Sequence, residues 1–481
     1  MKIVLSASLA YLASTAGSVN AFAVTSSSSN YGSTALQATI NEAAPATGNK
    51  KALVPPKSID DLMSQDGETG ELYDKNVQKT YGRYPLTIKN GKGCKLWTSD
   101  GKEFLDCVSG IATCALGHSN DELNSAISKQ MEQVHHVSNL YLIPSQAALA
   151  QWLCENSVAS KAFFCNSGAE ANEAAIKCAR RHASNRGIEK PIIITAHQSF
   201  HGRTLAALSA TAQPKYHKGF GYDGDMVPGF KYVNYNDVED LKKAVQEINE
   251  TEGQGLAAIM MEALQGEGGI IPGDKAFFKT IREICDDTGA LMMMDEVQVG
   301  MGRSGTLWGY QNLDVEPDVF TSAKALGGGV PIGAMLAGEK AADVFGPGDH
   351  ASTYGGNPLA CSAGLAVAKY LSDHNILDNV DARGEQLEAG LNAIADKYPD
   401  LLGGVRGWGL LRGIVVSDDS VPPGKIVQAA MDQGLLLVAA GANVVRFVPP
   451  LIISAEEIDS ALAIFESAVQ QVVAEQKNMT P

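Results

Sequence analysis

Short apolar runs that alternate with helical patterns dominate the chain from about residue 160 onward. Five of these runs lack polar alternation, which is typical of strands covered on both faces. They lie at 162–165, 192–195, 257–261, 291–294 and 319–322. Between them are segments such as 237–248, in which Leu241, Ala244, Val245 and Ile248 recur at helical spacing. This order predicts an α/β fold with a mainly parallel central sheet, helices on both faces, and ligands beyond the carboxyl ends of the strands.

Composition excludes several classes of protein. The length of 481 residues and an apolar fraction of 45% indicate a globular chain with more than one domain. A net charge of −16 argues against nucleic acid or an anionic membrane surface as a general partner. The eight cysteines form no CxxC pair and no histidine cluster accompanies them, so we expect reduced thiols and no metal site.

Residues 1–41 have the order of a targeting segment. Lys2 is the single charged side chain, an apolar run comes after it, and serines 26–29 come after a small-residue stretch at 18–23. That stretch resembles the cleavage motif of bipartite plastid presequences. The first arginine is Arg83, which makes a mitochondrial presequence a poor description. We expect plastid import of a cleaved presequence, with secretion and the mitochondrion as alternatives.

The remaining chain divides into four predicted parts. A polar linker at 42–79 precedes an N-terminal segment at 80–118, a large domain at 119–369 and a C-terminal part at 370–481. We expect the two end segments to form one smaller α+β domain. Residues 119–122 are typical of the cap of a helix whose apolar face includes Leu123, Met131 and Val134. Ser454 and Glu457 have the spacing of a capping box.

Lys324 stands at the end of the apolar run 319–322 and directly before the glycines at 327–329. An amine there emerges from a buried strand where backbone can approach a ligand closely. A lone lysine is more often a solvated surface residue. The choice between these interpretations depends on the residues at the ends of the neighbouring strands.

Three other strand ends carry polar residues that suit one ligand. Gly168 comes after a strand and starts a helix, whose free N–H groups favour an anion, although many such turns bind nothing. Asp295 ends the run 291–294, where a buried acid needs a cationic partner or a cap role. Phe200 can cover a flat ring, Arg203 can hold a carboxylate in a two-pronged contact, and His201 between them is interpreted as structural.

A phosphate site, an acid for a ring nitrogen, an aromatic cover and a lysine beside glycines together meet the needs of pyridoxal phosphate. Residues 80–475 resemble class III aminotransferases of fold type I. The matching runs lie at 164–173, 200–203, 265–269, 295–298, 321–329 and 352–360. The resemblance implies a pyridoxal-phosphate enzyme that transfers amino groups.

The resemblance also implies roles for single residues. Lys324 would carry the cofactor as a Schiff base and then move the substrate proton. Asp295 would pair with the pyridine nitrogen and Gln298 with the ring hydroxyl. The remaining cofactor contacts would be Phe200 and Val297 on opposite ring faces, and the N–H groups of Gly168 and Ala169 on the phosphate.

Substrate contacts are implied by the same family pattern. Arg203 would hold the carboxylate of an ω-amino donor and Arg446 that of glutamate, while Glu267 pairs with Arg446 when the donor is bound. Thr353 is similar to a threonine that reaches the phosphate of a neighbouring subunit, and Ser352 to a serine that contacts the neighbour's substrate. A homodimer with shared active sites is therefore expected.

The run 137–141 is similar to that of the family members that act on acetylornithine. We therefore expect transfer from N2-acetylornithine to 2-oxoglutarate, a step of arginine biosynthesis. Ornithine or 4-aminobutyrate are the alternative donors. A catalytically silent pyridoxal-phosphate-binding protein is the alternative from another class. Ala169 departs from the family's frequent threonine, which removes one possible phosphate hydroxyl but keeps the backbone N–H.

Overall fold

The computed structural model describes residues 56–64, 68–221 and 226–479. The predicted presequence at 1–41 lies outside these residues. The strands, in chain order, are β1 (Ile88–Lys92), β2 (Lys95–Thr98), β3 (Glu103–Asp106), β4 (Lys161–Cys165), β5 (Lys190–Ala196), β6 (Phe230–Val233), β7 (Gln254–Glu262), β8 (Leu264–Gln265), β9 (Ile271–Pro272), β10 (Leu291–Asp295), β11 (Val319–Ser322), β12 (Gly333–Ala337), β13 (Leu402–Trp408), β14 (Leu411–Val416), β15 (Leu435–Leu436), β16 (Val438–Ala440) and β17 (Val444–Phe447).

The α-helices are, in the same order, α1 (Ile59–Ser64), α2 (Glu68–Asn76), α3 (Ser109–Ala112), α4 (Asp121–Met131), α5 (Pro144–Glu155), α6 (Gly168–Asn185), α7 (Leu205–Ala210), α8 (Pro214–His217), α9 (Val238–Glu250), α10 (Lys275–Thr288), α11 (Pro358–Asp373), α12 (Ile376–Lys397), α13 (Pro423–Asp432) and α14 (Ala455–Met479). Short 3₁₀ helices are formed by Gly309–Leu313 and Lys324–Gly327. Among the described residues, no helix is both long enough and apolar enough to cross a membrane.

The central sheet has seven strands in the order β4-β12-β11-β10-β7-β5-β6. All five predicted apolar runs are strands of this sheet. Successive side chains enter opposite cores, since Met293 packs into one cluster while Met292 and Met294 pack into the other. This burial explains why the runs lack polar alternation. The predicted α/β class and the mainly parallel sheet are confirmed.

One strand of this sheet, β12, is antiparallel to both of its neighbours, β11 and β4. It comes after β11, a short 3₁₀ turn and the glycines 327–329, so the chain reverses without a crossover helix. A five-residue run rich in glycine and alanine has little strand signal of its own. This strand was therefore not predicted from the sequence.

Two smaller sheets involve the ends of the chain. The first has the order β1-β2-β3-β15, in which the C-terminal strand β15 pairs in parallel with β3. The second has the order β13-β14-β17-β16 and carries Arg446 on β17. Residues of 80–118 and 370–481 thus share a sheet.

Capping side chains mark the residues at which two of the helices begin. Asn120 caps α4 by accepting from the Leu123 N–H at 3.1 Å. Ser454 and Glu457 bond reciprocally as a capping box before α14, as predicted. The predicted linker 42–79 contains α1 and α2. The predicted apolar face of α4 is shorter than expected, because Met131 is 52% exposed and Val134, 39% exposed, lies beyond the end of the helix.

All eight cysteine thiols are unpaired, and six of them are buried. Burial raises the pKa of each thiol whose titration is perturbed, for example that of Cys178 to about 12. Such thiols stay protonated at neutral pH and contribute packing rather than reactivity.

Candidate active site

A cavity of about 380 Å³ opens where β4, β5, β7, β10 and β11 end. Nine of the twelve predicted site residues line it. They are Gly168, Ala169, Phe200, Arg203, Glu267, Asp295, Val297, Gln298 and Lys324. The carboxyl ends of neighbouring strands converge on one edge of the sheet, which is why residues far apart in sequence meet here.

Asp295 lies at the end of β10 and is 4% exposed. Its Oδ2 accepts hydrogen bonds from Asn172 Nδ2 and His201 Nδ1, each at 2.8 Å. Its Oδ1 accepts from the Val297 N–H at 3.0 Å. These contacts fix the carboxylate at the cavity wall without a lysine or arginine partner among the described residues. His201 therefore acts as a hydrogen-bonding support, as expected.

Asn172 belongs to a buried hydrogen-bond network that was not predicted from the sequence. Its Nδ2 also donates to the His201 carbonyl at 2.7 Å, and its Oδ1 accepts from Thr321 Oγ1 at 2.7 Å. A polar side chain on the apolar face of α6 and another inside strand β11 were visible signals, because buried polar groups need partners. The network joins α6, β11 and the acid of β10.

Lys324 is the first residue of a 3₁₀ turn and has a left-handed backbone, with φ of +46°. That conformation is strained for a residue with a Cβ and is more common at functional sites. Burial lowers the pKa of its ammonium to about 8, although the charge of Glu267 opposes the shift. A substantial neutral fraction is therefore present near neutral pH.

The glycines after Lys324 have separate structural reasons. A Cβ on Gly327 would lie 2.7 Å from Ile332, and Gly328 has φ of +57° and packs against Val367. Of the three, Gly329 lines the cavity. Gly329 also has φ of +114°, so backbone conformation as well as clearance for a ligand favours glycine there, whereas core packing explains Gly327 and turn conformation explains Gly328.

The N-terminus of α6 borders the cavity, since Ser167, Gly168 and Ala169 all line it. Ser167 caps the helix by accepting from the Glu170 N–H at 3.2 Å. The N–H groups of Gly168 and Ala169, in the first turn, have no intrahelical acceptor. A Cβ on Gly168 would lie 2.7 Å from Val297, so this position requires glycine. The arrangement suits an anion such as a phosphate.

Arg446 lies beside the cavity rather than on its wall and is 1% exposed. Its Nη1 donates to Glu267 Oε1 at 2.6 Å and to Gln298 Oε1 at 3.0 Å. Burial works to raise the pKa of Glu267, but the neighbouring guanidinium outweighs it and lowers that pKa. Glu267 is thus held as a carboxylate that neutralises Arg446.

Arg203 is in a different state from Arg446. It is exposed and forms no ion pair within the described residues. Its guanidinium carbon lies 3.8 Å from the centre of the Tyr216 ring and 5.3 Å from that of Phe200. One arginine of the site is therefore neutralised by an acid, and the other is left available.

Ser352 and Thr353 are apart from this cavity. They line a second cavity of about 360 Å³, together with Asn166 and His350. Asn166 borders both cavities, and its Nδ2 lies 3.3 Å from Ser352 Oγ. Thr353 is exposed and does not approach the cavity of its own chain.

Glu262 lines the cavity and was not among the predicted site residues. It ends β7, pairs in register with Asp295 and is 7% exposed. Its Oε2 accepts from the Phe200 N–H at 3.2 Å. Burial, reinforced by the charge of Asp295, raises the pKa of this carboxyl well above its ordinary value. The rule that selected Asp295, an acid ending an apolar strand, also applies to Glu262.

A mixed α/β sheet that presents a low-pKa lysine, a buried carboxylate and a helix N-terminus to one cavity is typical of pyridoxal-phosphate-dependent transferases of fold type I. The model of the class-III aminotransferase family matches residues 76–469. The chain belongs to that family.

Known relatives agree with this assignment. An acetylornithine aminotransferase of Nostoc sp. is 56% identical over 406 residues, which cover 84% of this chain and 94% of the relative. The crystal structure of N-acetylornithine aminotransferase from Stenotrophomonas maltophilia matches with a TM-score of 0.71 and 37% identity, over 84% of this chain and 99% of that one. Ornithine aminotransferase from Toxoplasma gondii matches with a TM-score of 0.81 and 28% identity, over 87% of this chain and 100% of that one.

Proposed function

We propose that this chain is a pyridoxal-phosphate-dependent ω-aminotransferase acting on N2-acetylornithine. It would transfer the terminal amino group to 2-oxoglutarate, giving N-acetylglutamate 5-semialdehyde and glutamate, a step of arginine biosynthesis. The observation that carries the proposal is the pair of arginines beside Lys324, one neutralised by Glu267 and one available. The choice of donor is supported by relatives of that name at more than half identity.

The residues present fit pyridoxal phosphate. The N–H groups of Gly168 and Ala169 would hold its phosphate, Phe200 and Val297 would flank its ring, and Gln298 would meet the ring hydroxyl. Asp295 would keep a proton on the ring nitrogen, held in place by Asn172 and His201. When bound, the cofactor supplies an electron sink that stabilises negative charge at the substrate carbon.

Lys324 serves as the base for the amine-bearing carbon. An amine with a pKa of about 8 is partly neutral at physiological pH and can accept a proton at Nζ. The ammonium so formed can return that proton, because the same burial that lowers its pKa disfavours the charged state. Lys324 Nζ can therefore both take a proton from the amine-bearing carbon and give a proton back.

The two arginines address a geometric problem of transamination. Acetylornithine and glutamate place their carboxylates at different distances from the reacting amine, yet use one pocket. Arg203 would bind the donor's carboxylate while Glu267 keeps Arg446 neutralised. Glutamate would displace Glu267 from Arg446 and put its own carboxylate there. A buried guanidinium without any partner would be costly, so exchange of partners is the reasonable switch.

The choice among ω-amino donors is tested by single-turnover reactions of the purified protein with its cofactor. We expect loss of the cofactor's visible absorbance to be fastest, per concentration of donor, with N2-acetylornithine. Ornithine and 4-aminobutyrate are the comparison donors. A faster reaction with either would replace the proposed substrate, and binding of cofactor without reaction of any donor would indicate a catalytically silent protein.

A homodimer with shared active sites completes the proposal. Leu140 is 89% exposed and Leu142 fully exposed, an unusual state for leucines of a soluble surface. Asn139 ties this segment to the loop of Thr353 by donating to the carbonyls of Ser352 and Gly355 at 3.1 and 2.9 Å. A second copy covering this apolar segment would bring Thr353 toward the partner's phosphate site.

Mixed dimers test the shared site. Lys324→Ala and Thr353→Glu chains are each expected to be inactive alone, the latter because a carboxylate would face the phosphate. Co-expressed, they should recover up to about a quarter of wild-type activity, since random pairing gives one intact site in each mixed dimer. Ser460→Glu, on the exposed face of α14, serves as the charge control. Failure of every mixed dimer would place Thr353 outside the partner's site.

We further propose that the mature protein acts in the plastid. The acetylornithine aminotransferase of Nostoc is a cyanobacterial protein, which fits a plastid-type origin of this chain. The targeting interpretation depends on residues 1–41, with secretion and the mitochondrion as alternatives. A fluorescent fusion of residues 1–50 that labelled another compartment would contradict it.

A further inference from the structure

We propose that Tyr216 is the positioning residue for Arg203. Its ring is a platform that orients the guanidinium for the carboxylate of the ω-amino donor. The inference deepens the proposed function and depends on the assignment of Arg203 to the donor.

The contact is a close cation–π contact in which the guanidinium lies over the ring. The guanidinium carbon of Arg203 lies 3.8 Å from the centre of the Tyr216 ring, well inside the range of a cation–π interaction. Within the described residues Arg203 makes no hydrogen bond or ion pair that would fix its orientation instead. An exposed arginine without such a contact would sample many rotamers and lose that freedom on binding.

The platform itself is joined to the site by hydrogen bonds and a ring contact. Tyr216 lies on the short helix α8 and its N–H donates to the Gln213 carbonyl at 2.9 Å. Gln213 Nε2 in turn donates to the Ser199 carbonyl at 2.9 Å, next to Phe200. The Tyr216 ring also meets the Phe200 ring edge-on, with centres 6.1 Å apart at 83°. The ring that holds Arg203 is thus connected to the aromatic cover of the cavity.

An aromatic platform has an advantage that an acid would lack. Stacking uses the face of the guanidinium and leaves its N–H groups, which lie in the plane, free for a two-pronged contact with carboxylate. An acid would occupy those same N–H groups and would have to be displaced by the donor. Arg446 has that second arrangement, with Glu267 on its Nη1. The two arginines are therefore prepared for binding in different ways, and Tyr216 contributes to one of them.

Because Arg203 is assigned to the donor and Arg446 to glutamate, the role of Tyr216 can be measured separately in the two half-reactions. Tyr216→Leu is expected to raise the concentration of N2-acetylornithine needed for half-saturation by about 3- to 30-fold, the range of a cation–π contact. The rate at saturation and the glutamate half-reaction should stay within about twofold of wild type, because Arg446 is oriented independently. Tyr216→Phe keeps the ring and should behave as wild type. Phe220→Leu, at an exposed aromatic four residues on, is the matched control.

A double-mutant cycle identifies the residue through which the ring acts. The Tyr216 ring also lies 4.8 Å from Lys215 Nζ, so a loss could arise through either cation. If Tyr216 acts through Arg203, the effect of Tyr216→Leu disappears in an Arg203→Ala background but persists in Lys215→Ala. Equal losses in both half-reactions, no loss at all, or persistence in Arg203→Ala would each overturn the proposal.

Binding provides a readout apart from turnover. Calorimetric titration of the cofactor-free chain with N2-acetylornithine should show the same weakening for Tyr216→Leu and none for Tyr216→Phe. If wild type reacts with ornithine or 4-aminobutyrate in preference, the proposed substrate fails, while the ratio of variant to wild type with that donor still decides the role of Tyr216. An unchanged ratio and unchanged binding would reject the platform whatever the substrate.

Discussion

Replacing Lys324 with alanine is expected to lower transaminase turnover by about 10³-fold or more, because the variant lacks both the covalent attachment and the base. The phosphate site at the start of α6 and the Asp295 network do not involve this side chain. The variant should therefore still bind pyridoxal phosphate non-covalently. Borohydride reduction followed by mass spectrometry should fix the cofactor to Lys324 in wild type and to no residue in the variant. An active Lys324→Ala protein would contradict the whole assignment.

The thermal stability of Lys324→Ala shows whether its loss of turnover reflects missing chemistry or unfolding. In the cofactor-free protein the pKa of Lys324 is about 8, below its ordinary value of 10.5. Below pH 8 the folded chain carries the full cost of a buried ammonium, and between pH 8 and 10.5 the unfolded chain binds more protons, so folding gains stability as pH rises. Lys324→Ala lacks this contribution. At neutral pH its melting temperature should be no lower than that of wild type. As the pH rises, wild type should become more stable relative to the variant. Lys369→Ala, at an exposed lysine of α11, is the control.

Sequence patterns were sufficient for the parts of the site that depend on one strand end at a time. Lys324 and Asp295 each come after a buried apolar run, and the sheet brings the ends of such runs to one edge. Glu262 obeys the same rule and was predictable from it, although the more prominent motif at 265–269 lies just after it. The antiparallel strand β12 was missed for another reason, since its glycine and alanine residues give no periodic signal.

Contacts between distant side chains could not be derived from patterns. The Arg446–Glu267 pair joins residues 179 positions apart, one on β17 and one in the turn after β8, and family resemblance rather than spacing suggested it. The stacking of Tyr216 on Arg203 had no signal at all, because an aromatic residue in a short helix usually indicates packing. Such contacts depend on loop conformations that many local sequences allow.

Replacing Arg446 with alanine is expected to damage one half-reaction selectively. The rate constant per concentration of glutamate or 2-oxoglutarate should fall by about 100-fold or more, because a buried two-pronged carboxylate contact is lost. The N2-acetylornithine half-reaction should fall by less than about tenfold, since its carboxylate is assigned to Arg203. Single-turnover measurements with each substrate separate the two effects. Equal losses in both directions would remove the switch.

The variant leaves a second charge to consider. Without Arg446, Glu267 loses the cation that lowers its pKa and remains a partly buried carboxylate near Lys324. Part of any loss with acetylornithine would then come from this stray anion rather than from a missing contact. Arg446→Ala combined with Glu267→Gln removes both charges and should restore the acetylornithine half-reaction while leaving the glutamate one impaired.

Glu267→Gln alone should have the selectivity opposite to that of Arg446→Ala. It leaves Arg446 without its neutralising partner during donor binding, so it should weaken acetylornithine more than glutamate. Opposite selectivity of the two single variants, with the double variant resembling Arg446→Ala toward glutamate, is the pattern that a switch requires and that two unrelated carboxylate sites would not produce.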